Sequence, residues 1–297
     1  MSAAGVDGPV SVSTAWLAAH LGDPGVRIVD IRGKVLPPGS TPRYVAKRGD
    51  YDDAHVPGAV FVDWTRDIVD TADPIPSQVA RPDTFTAMMT KLGIGDDTLV
   101  VAYDDYDHIF AGRLAWAMRY YGHDAVRILD GGWARWIAEG RPNTRDVPRP
   151  AAPSTPFVAR VRSSLRVSAD EVAATIGRSD VLLLDARAPE QYAGLVSAAG
   201  RGGHIPGARN VPYATLIDAA TGRFQSPDNL ARTFKQAGVD VAHLPPRVIV
   251  YCNGGISCTV PLHALQMLGR ADVAVYDGSW NEWGPDERRP IEKGPQP

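Results

Sequence analysis

Residues 26–32, VRIVDIR, form a short apolar run, and the same pattern returns at residues 181–187 as VLLLDAR. Four more pairs of segments follow in the same order: HVPGAVFVDW (55–64) and HIPGARNVPY (204–213), PDTFTAMMTKLGI (82–94) and PDNLARTFKQAGV (227–239), TLVVAYD (98–104) and RVIVYCN (247–253), and VRILDGGWARW (126–136) and VAVYDGSWNEW (273–283). Every pair has almost the same offset in the chain. This regularity indicates two copies of one domain.

Each copy alternates apolar runs with helical patterns. Continuous runs such as LVVAY and VIVY are typical of strands buried on both faces of a parallel sheet, whereas TFTAMMTKL and NLARTFKQA show the helical period of 3.6. The sequence therefore predicts an α/β fold of two tandem domains, each a small, mainly parallel sheet flanked by helices. We place the domains at residues 10–140 and 161–292, with an extended proline-rich linker at 141–160. Residues 33–50 have no counterpart in the second copy, and we expect a surface insertion that borders the site.

Composition excludes several classes of function. The 297 residues carry a formal net charge of −3 with mixed signs, which gives no general attraction to nucleic acid or to a membrane surface. We find no signal-peptide pattern and no apolar stretch near the roughly 20 residues that span a bilayer. Two cysteines cannot form a disulfide framework, so we expect a cytoplasmic protein.

Both cysteines lie in one stretch, YCNGGISCTVP (251–261), between a predicted strand and a predicted helix. Such a strand–loop–helix turn directs backbone N–H groups and the positive end of a helix dipole into one space, which favours an anion. A cysteine at its head, Cys252, should have a lowered pKa and act as a thiolate nucleophile. The residues expected to hold the bound group are Asn253, Gly254, Gly255, Ile256 and Ser257.

An inert buried thiol is the alternative for Cys252, because free cysteine is often a small core residue. The repeat argues against it. The counterpart of Cys252 in the first copy is Asp104, in VVAYDDYDH, where no comparable glycine loop follows. We therefore expect one catalytic half and one supporting half.

The H-x-P-G-A motifs (55–59 and 204–208), the D-G-x-W motifs (130–133 and 277–280) and the Cys-headed loop resemble the rhodanese superfamily of two-domain sulfurtransferases, from about residue 10 to 290. The resemblance implies an inert first domain and a site in the cleft between domains. It also implies that Cys252 takes a sulfane sulfur from a small donor, thiosulfate or 3-mercaptopyruvate, as a persulfide. A thiophilic acceptor, cyanide or a thiol (possibly a protein thiol), then takes the sulfur, and neither metal nor organic cofactor is needed.

Two other functions are alternatives for such a loop. Protein-tyrosine phosphatases use Cys-x5-Arg, but the sixth residue after Cys252 is Cys258, which argues against phosphatase chemistry. The second is a persulfide carrier that relays sulfur between proteins with little turnover of small donors. The chemistry needs only one chain, and the oligomeric state stays open.

The donor is not identified by the loop. Members of the family that prefer thiosulfate typically have basic residues after the cysteine, and those specialised for mercaptopyruvate have C-G-S-G, whereas this loop has Asn253 and Gly254. The usual arginine position in the segment after the first strand of the second domain is Gln191. Arg201 is the remaining candidate for gripping an anionic donor.

Structural roles are expected for several other residues. Ser257 is predicted to cap the following helix rather than to act in catalysis. Cys258 is predicted to be a buried helix residue, with a resolving thiol as the alternative. The remaining expectations are an ion pair of Arg187 with Asp185, structural turns at His55 and His204, and turn or cap roles for Asp130 and Asp277.

Overall fold

The first domain is built on a five-stranded parallel sheet. In this computed structural model, which describes residues 10–37 and 40–295, the sheet order is β1-β7-β6-β2-β5. The strands of this half are β1 (Ser11–Val12), β2 (Val26–Asp30), β3 (Gly33–Val35), β4 (Tyr44–Ala46), β5 (Val60–Phe61), β6 (Leu99–Tyr103) and β7 (Val126–Leu129). Its helices are α1 (Thr14–Ala19), α2 (Arg48–Asp53), α3 (Pro82–Lys91), α4 (Ile109–Tyr120) and α5 (Gly132–Ala138).

The second domain repeats this plan. Its sheet has the order β10-β9-β11-β12-β8 and is again parallel throughout. The strands are β8 (Arg166–Val167), β9 (Val181–Asp185), β10 (Arg209–Asn210), β11 (Arg247–Tyr251) and β12 (Val273–Tyr276). The helices are α6 (Ala169–Ala173), α7 (Pro189–Tyr192), α8 (Pro227–Gln236), α9 (Thr259–Met267) and α10 (Ser279–Trp283). The predicted α/β fold with two tandem domains is confirmed.

Apolar runs become strands because both faces of each sheet are covered. Along β6, Val100 and Ala102 belong to one apolar cluster, while Val101 and Tyr103 belong to another on the opposite face. Helix α4 packs on the first face, and α5 packs through Trp136 on the second. A strand covered on both sides needs apolar residues at every position, which is why periodicity of two is absent from the sequence.

Residues 33–50 form a hairpin of β3 and β4 that runs into α2, within the described residues of that segment. The hairpin is attached to the first domain: Trp64 donates its indole N–H to Val45 O at 3.0 Å, and Lys47 pairs with Asp105 at 2.6 Å. Tyr44 of the hairpin lines the same depression as Ser77, which adjoins the cysteine loop.

The linker follows the surface of the first domain. None of its described residues from 141 to 160 belongs to a helix or strand. Thr144 exchanges two backbone hydrogen bonds with His55, and Arg160 pairs with Asp96 at 2.7 Å. The domain boundaries that we place on either side of it stay a prediction.

The domains are joined by reciprocal contacts of two aspartates. Asp277, in the D-G-x-W motif of the second domain, accepts the Val79 N–H of the first domain at 2.9 Å. Asp130, in the matching motif of the first domain, accepts the Phe224 N–H of the second at 3.0 Å. The predicted turn or cap role was therefore incomplete, because each carboxylate binds a backbone amide of the opposite domain.

An arginine strengthens each of these contacts. Arg113 of α4 is fully buried and lies 2.6 Å from the carboxylate of Asp277, and Arg223 lies 2.6 Å from Asp130. Arg113 also donates to Gly255 O at 3.0 Å and to Ser77 O at 2.7 Å. The guanidinium therefore connects the first domain to the cysteine loop itself.

We predict that Arg113→Met lowers the free energy of unfolding by about 3 kcal/mol, because it removes the closest cation of the buried Asp277 carboxylate and leaves only Arg166, at 3.1 Å. Equilibrium unfolding in urea measures the change. The control is Arg178→Met, which removes an ion pair with Asp180 whose partners are both more than half exposed. It should leave stability nearly unchanged. Equal effects of the two substitutions would contradict the prediction.

Candidate active site

The middle strand of the second sheet presents Cys252 at its carboxyl edge. β11 ends at Tyr251, which pairs in register with Asp185 of β9, and Cys252 follows immediately. The side chain is 1% exposed. Ligands of open parallel sheets bind beyond the carboxyl ends of strands, so the thiol lies where this fold class binds substrates.

Hydrogen bonds converge on the Cys252 sulfur. Burial raises the pKa of this thiol, but the Cys258 thiol, the Ser257 hydroxyl and the amides of Cys258 and Gly254 all bond to the sulfur and together lower the pKa to about 5. Hydrogen bonds donated to the charged form of a group stabilise that form. A pKa of about 5 favours the thiolate of Cys252 at neutral pH.

Cys258 behaves differently from its neighbour. Its side chain is fully buried, and burial together with the Cys252 thiolate raises its pKa well above the ordinary value. It stays protonated and can donate its S–H to Cys252. Both cysteines are free thiols in the structure. A resolving role for Cys258 stays a prediction.

Ser257 faces the sulfur instead of the helix. Helix α9 begins at Thr259, its N-cap is Cys258, and no side chain caps it. The predicted capping role is therefore wrong. The hydroxyl of Ser257 bonds to the Cys252 sulfur instead, which places it in the anion cradle.

The two glycines are required by close approaches of other groups. Gly255 has a φ of +72°, and a Cβ there would lie 2.7 Å from both the backbone oxygen and a carboxylate oxygen of Asp277. A Cβ on Gly254 would lie 2.8 Å from the side-chain nitrogen of Asn281. Only glycine allows the loop to pass between these groups without displacing them.

The start of α10 braces the loop from outside. Trp280 N–H bonds to Cys252 O at 3.0 Å, and Asn281 N–H bonds to Asn253 O at 2.8 Å. Trp280 is the last residue of the D-G-x-W motif, and Asn281 follows it. These two hydrogen bonds fix the carbonyl groups of Cys252 and Asn253, and they thereby hold the loop backbone in one orientation around the thiol.

The first domain also contains an anion cradle, which the sequence did not reveal. Asp104 follows β6, the middle strand of the first sheet, at the position equivalent to Cys252. Four backbone N–H groups bond to its carboxylate at 2.8–3.1 Å, and they belong to Tyr106, His108, Phe110 and Ala111. The sequence shows no comparable glycine loop after Asp104, but a cradle forms there without one. The cradle exists, and the carboxylate of Asp104 fills it.

Neutral side chains lie beside the loop at the two positions where related proteins have basic residues for an anionic donor. Asn253 and Gln191 exchange amide hydrogen bonds at 3.4 Å in both directions. Arg201 donates instead to three backbone carbonyls, those of Gly284, Asp286 and Arg289. These contacts give Arg201 a structural role, and its binding of a donor stays a prediction.

The expected structural pairs are present. Arg187 Nη2 lies 2.6 Å from the Asp185 carboxylate, and the guanidinium also reaches Gly203 O at 2.7 Å. His55 stacks on Tyr51 with ring centroids 3.9 Å apart, and His204 stacks on Tyr192 at 3.6 Å. The two H-x-P-G-A histidines therefore fill the same structural place in each domain.

Tyr213 was missed in the sequence, although it ends the HIPGARNVPY segment. Burial raises the pKa of its phenol, and the charges of Tyr106, Asp107 and Cys252 raise it further. It stays protonated close to the thiolate and close to the loop of the first domain. Groups of both domains therefore lie near Tyr213 and Cys252, and a site in a cleft between the domains stays a prediction.

Nothing in the described part of the chain resembles a metal centre or a membrane span. No group of three or more His, Cys, Asp or Glu side chains there could hold a metal ion, and no helix there is long and apolar enough to cross a membrane.

Comparison with known proteins agrees with this geometry. The model of the rhodanese-like domain matches twice, at residues 13–139 and 168–286. A putative thiosulfate sulfurtransferase, SseA of Mycobacterium tuberculosis, is 35% identical over 96% of this chain and 91% of its own length. The sulfur carrier protein TtuD of Thermus thermophilus is 33% identical over 96% of this chain and 97% of its own.

A solved structure shows the same arrangement. The crystal structure of SseA from Escherichia coli, described as a 3-mercaptopyruvate sulfotransferase with the rhodanese fold, matches with a TM-score of 0.80. It is 32% identical and covers 92% of this chain and 99% of that chain. With two matched domains and relatives of this similarity along almost its whole length, the chain belongs to the family of proteins with rhodanese-like domains.

Proposed function

We propose that this protein is a sulfurtransferase in which Cys252 carries the transferred sulfur as a persulfide. The observation that supports this most directly is a buried thiol whose pKa is lowered to about 5 by hydrogen bonds from its own loop. A thiolate is the reactive form of cysteine in displacement at sulfur. The M. tuberculosis relative named as a putative thiosulfate sulfurtransferase is similar along almost the whole chain.

The reaction consists of two displacements at sulfur. The Cys252 thiolate attacks the sulfane sulfur of the donor, a new S–S bond forms, and the donor leaves with the electron pair of the broken bond. With thiosulfate, the leaving group is sulfite. With 3-mercaptopyruvate, the attacked atom is the thiol sulfur, the C–S bond breaks, and the enolate of pyruvate leaves and takes up the proton of that thiol. An acceptor nucleophile then attacks the outer sulfur, and the Cys252 thiolate leaves. Loop amides stabilise the negative charge of thiolate and persulfide alike.

The donor and acceptor are proposed at the level of their chemistry. We propose thiosulfate or 3-mercaptopyruvate as donor, and cyanide, a small thiol or a protein thiol as acceptor. We also propose that the protein works in the reducing cytoplasm, where a thiol such as Cys252 is kept from forming disulfides.

A persulfide carrier is the second candidate, and the Gln191–Asn253 pair favours it. Two amides beside the loop bond to each other and bring no positive charge to a dianionic donor. A carrier loaded by another protein has less need of such a charge. The relative from T. thermophilus is named as a sulfur carrier protein.

Intact-mass spectrometry tests both candidates. After incubation with thiosulfate or 3-mercaptopyruvate, the wild type should gain the mass of one sulfur atom and lose it on addition of cyanide. Cys252→Ser should gain nothing, whereas Cys258→Ser should still load. Prompt loading and fast release indicate the enzyme, while loading only from a protein persulfide indicates the carrier. A fully active Cys252→Ser would contradict the persulfide mechanism.

We predict that Gln191→Arg raises kcat/KM for thiosulfate about tenfold or more. A charge-assisted hydrogen bond to the dianion contributes about 1.5–3 kcal/mol, and about 1.4 kcal/mol corresponds to a factor of ten. The matched control is Gln236→Arg, since Gln236 is exposed at the end of α8. The gain should shrink at high ionic strength. An unchanged kcat/KM would show that position 191 does not contact the donor.

A further inference from the structure

Ser279 has a backbone conformation that serine seldom adopts. It is the first residue of α10, its φ is +52°, and its side chain is fully buried. The left-handed region is unfavourable for residues with a Cβ. Strain of this kind persists only where the surroundings enforce it, and it concentrates at functional sites.

The hydroxyl of Ser279 bonds to the cysteine loop at two places. Its oxygen accepts the Cys252 N–H at 3.2 Å and the Gly255 N–H at 3.0 Å, and it donates to Tyr276 O at 2.7 Å. Both acceptor sites and the single proton of the hydroxyl are therefore used. The hydroxyl joins the two ends of the first turn of the loop to the end of β12.

The first domain shows that the conformation alone does not require serine. The equivalent residue is Gly132, with a φ of +54°. Its neighbour Trp133 donates to Asp104 O at 2.9 Å, just as Trp280 donates to Cys252 O at 3.0 Å. A Cβ on Gly132 would lie 2.3 Å from Asp104 O, so the loop of the first domain leaves no room for a side chain. The second domain instead makes room for a hydroxyl.

From these contacts we infer that Ser279 is a positioning residue for sulfur transfer, which sets the orientation of the amides around Cys252. The hydroxyl binds the N–H groups of Cys252 and Gly255. The N–H groups of Gly254 and Cys258 are then left to bond to the sulfur. This inference rests on the proposal that Cys252 is the nucleophile.

Two substitutions separate this role from a structural one. Ser279→Ala removes the hydroxyl and keeps the unfavourable φ, whereas Ser279→Gly removes both, as in the first domain. Ser279→Gly should therefore melt above Ser279→Ala by roughly 2–4 °C, because glycine adopts a positive φ without the strain that alanine has there. Both variants should nevertheless show the same kinetic defect, because both lack the hydroxyl.

The kinetic readout is the pH dependence of persulfide formation with thiosulfate, followed by intact mass. We expect the acid limb of the rate profile to move up by about one pH unit in both variants, since amides that lose their fixed orientation stabilise the thiolate less. A merely structural role would let Ser279→Gly recover its profile together with its stability.

The control variant is Ser168→Ala. Ser168 is the exposed N-cap of α6, and its loss should lower stability without moving the pH profile. If the profile of Ser279→Gly equals that of the wild type or moves to lower pH, the inference is wrong. Cys252→Ser is measured in parallel: its full activity would overturn the proposed nucleophile, whereas its inactivity with unchanged Ser279 variants would overturn only the inference about Ser279.

Discussion

A buried negative charge at the end of the middle strand is the constraint on which the rest of the structure depends. An anion removed from water is unstable unless hydrogen bonds replace the lost solvent. Both loops meet this condition with backbone amides. The Asp104 carboxylate accepts four backbone N–H groups, two of which belong to the second and the sixth residue after it. The Cys252 sulfur likewise accepts the N–H groups of the second and the sixth residue after it, together with a thiol and a hydroxyl.

The comparison of the two loops gives a physical reason for the proposed division into an inert half and a reactive half. In the first domain the anion is part of a carboxylate, whose two oxygens occupy the whole cradle. In the second domain the anion is a single sulfur atom, which is the proposed nucleophile. The first domain keeps the cradle and lacks the reactive atom.

The supporting half has a direct part in the site. Arg113 of the first domain binds Gly255 O in the cysteine loop and pairs with Asp277, and Asp277 in turn accepts a backbone amide of the first domain. Loop geometry and domain docking are thus fixed by the same buried contacts. Separating the domains would expose Asp277 and release one side of the loop.

Much of this architecture could be predicted from the sequence, because repeated apolar runs and helical periods are local signals. The strands, the helices and the position of Cys252 follow from them. The contacts between domains do not, since the pairing of Asp130 with Phe224 depends on how two folded units meet. The filled cradle at Asp104 was missed for a similar reason: side-chain bonds to backbone amides leave no periodic pattern. Arg201 was a candidate because of its charge, but the charge alone could not show that its guanidinium bonds to backbone carbonyls.

The most direct test of the account is a titration of the Cys252 thiolate by its ultraviolet absorbance. The difference between the wild type and Cys252→Ser reports this group alone, because Cys258 stays protonated over the range. We predict a midpoint near pH 5. A midpoint near the value of free cysteine, about 8.5, would contradict the claim that the loop stabilises an anion at Cys252.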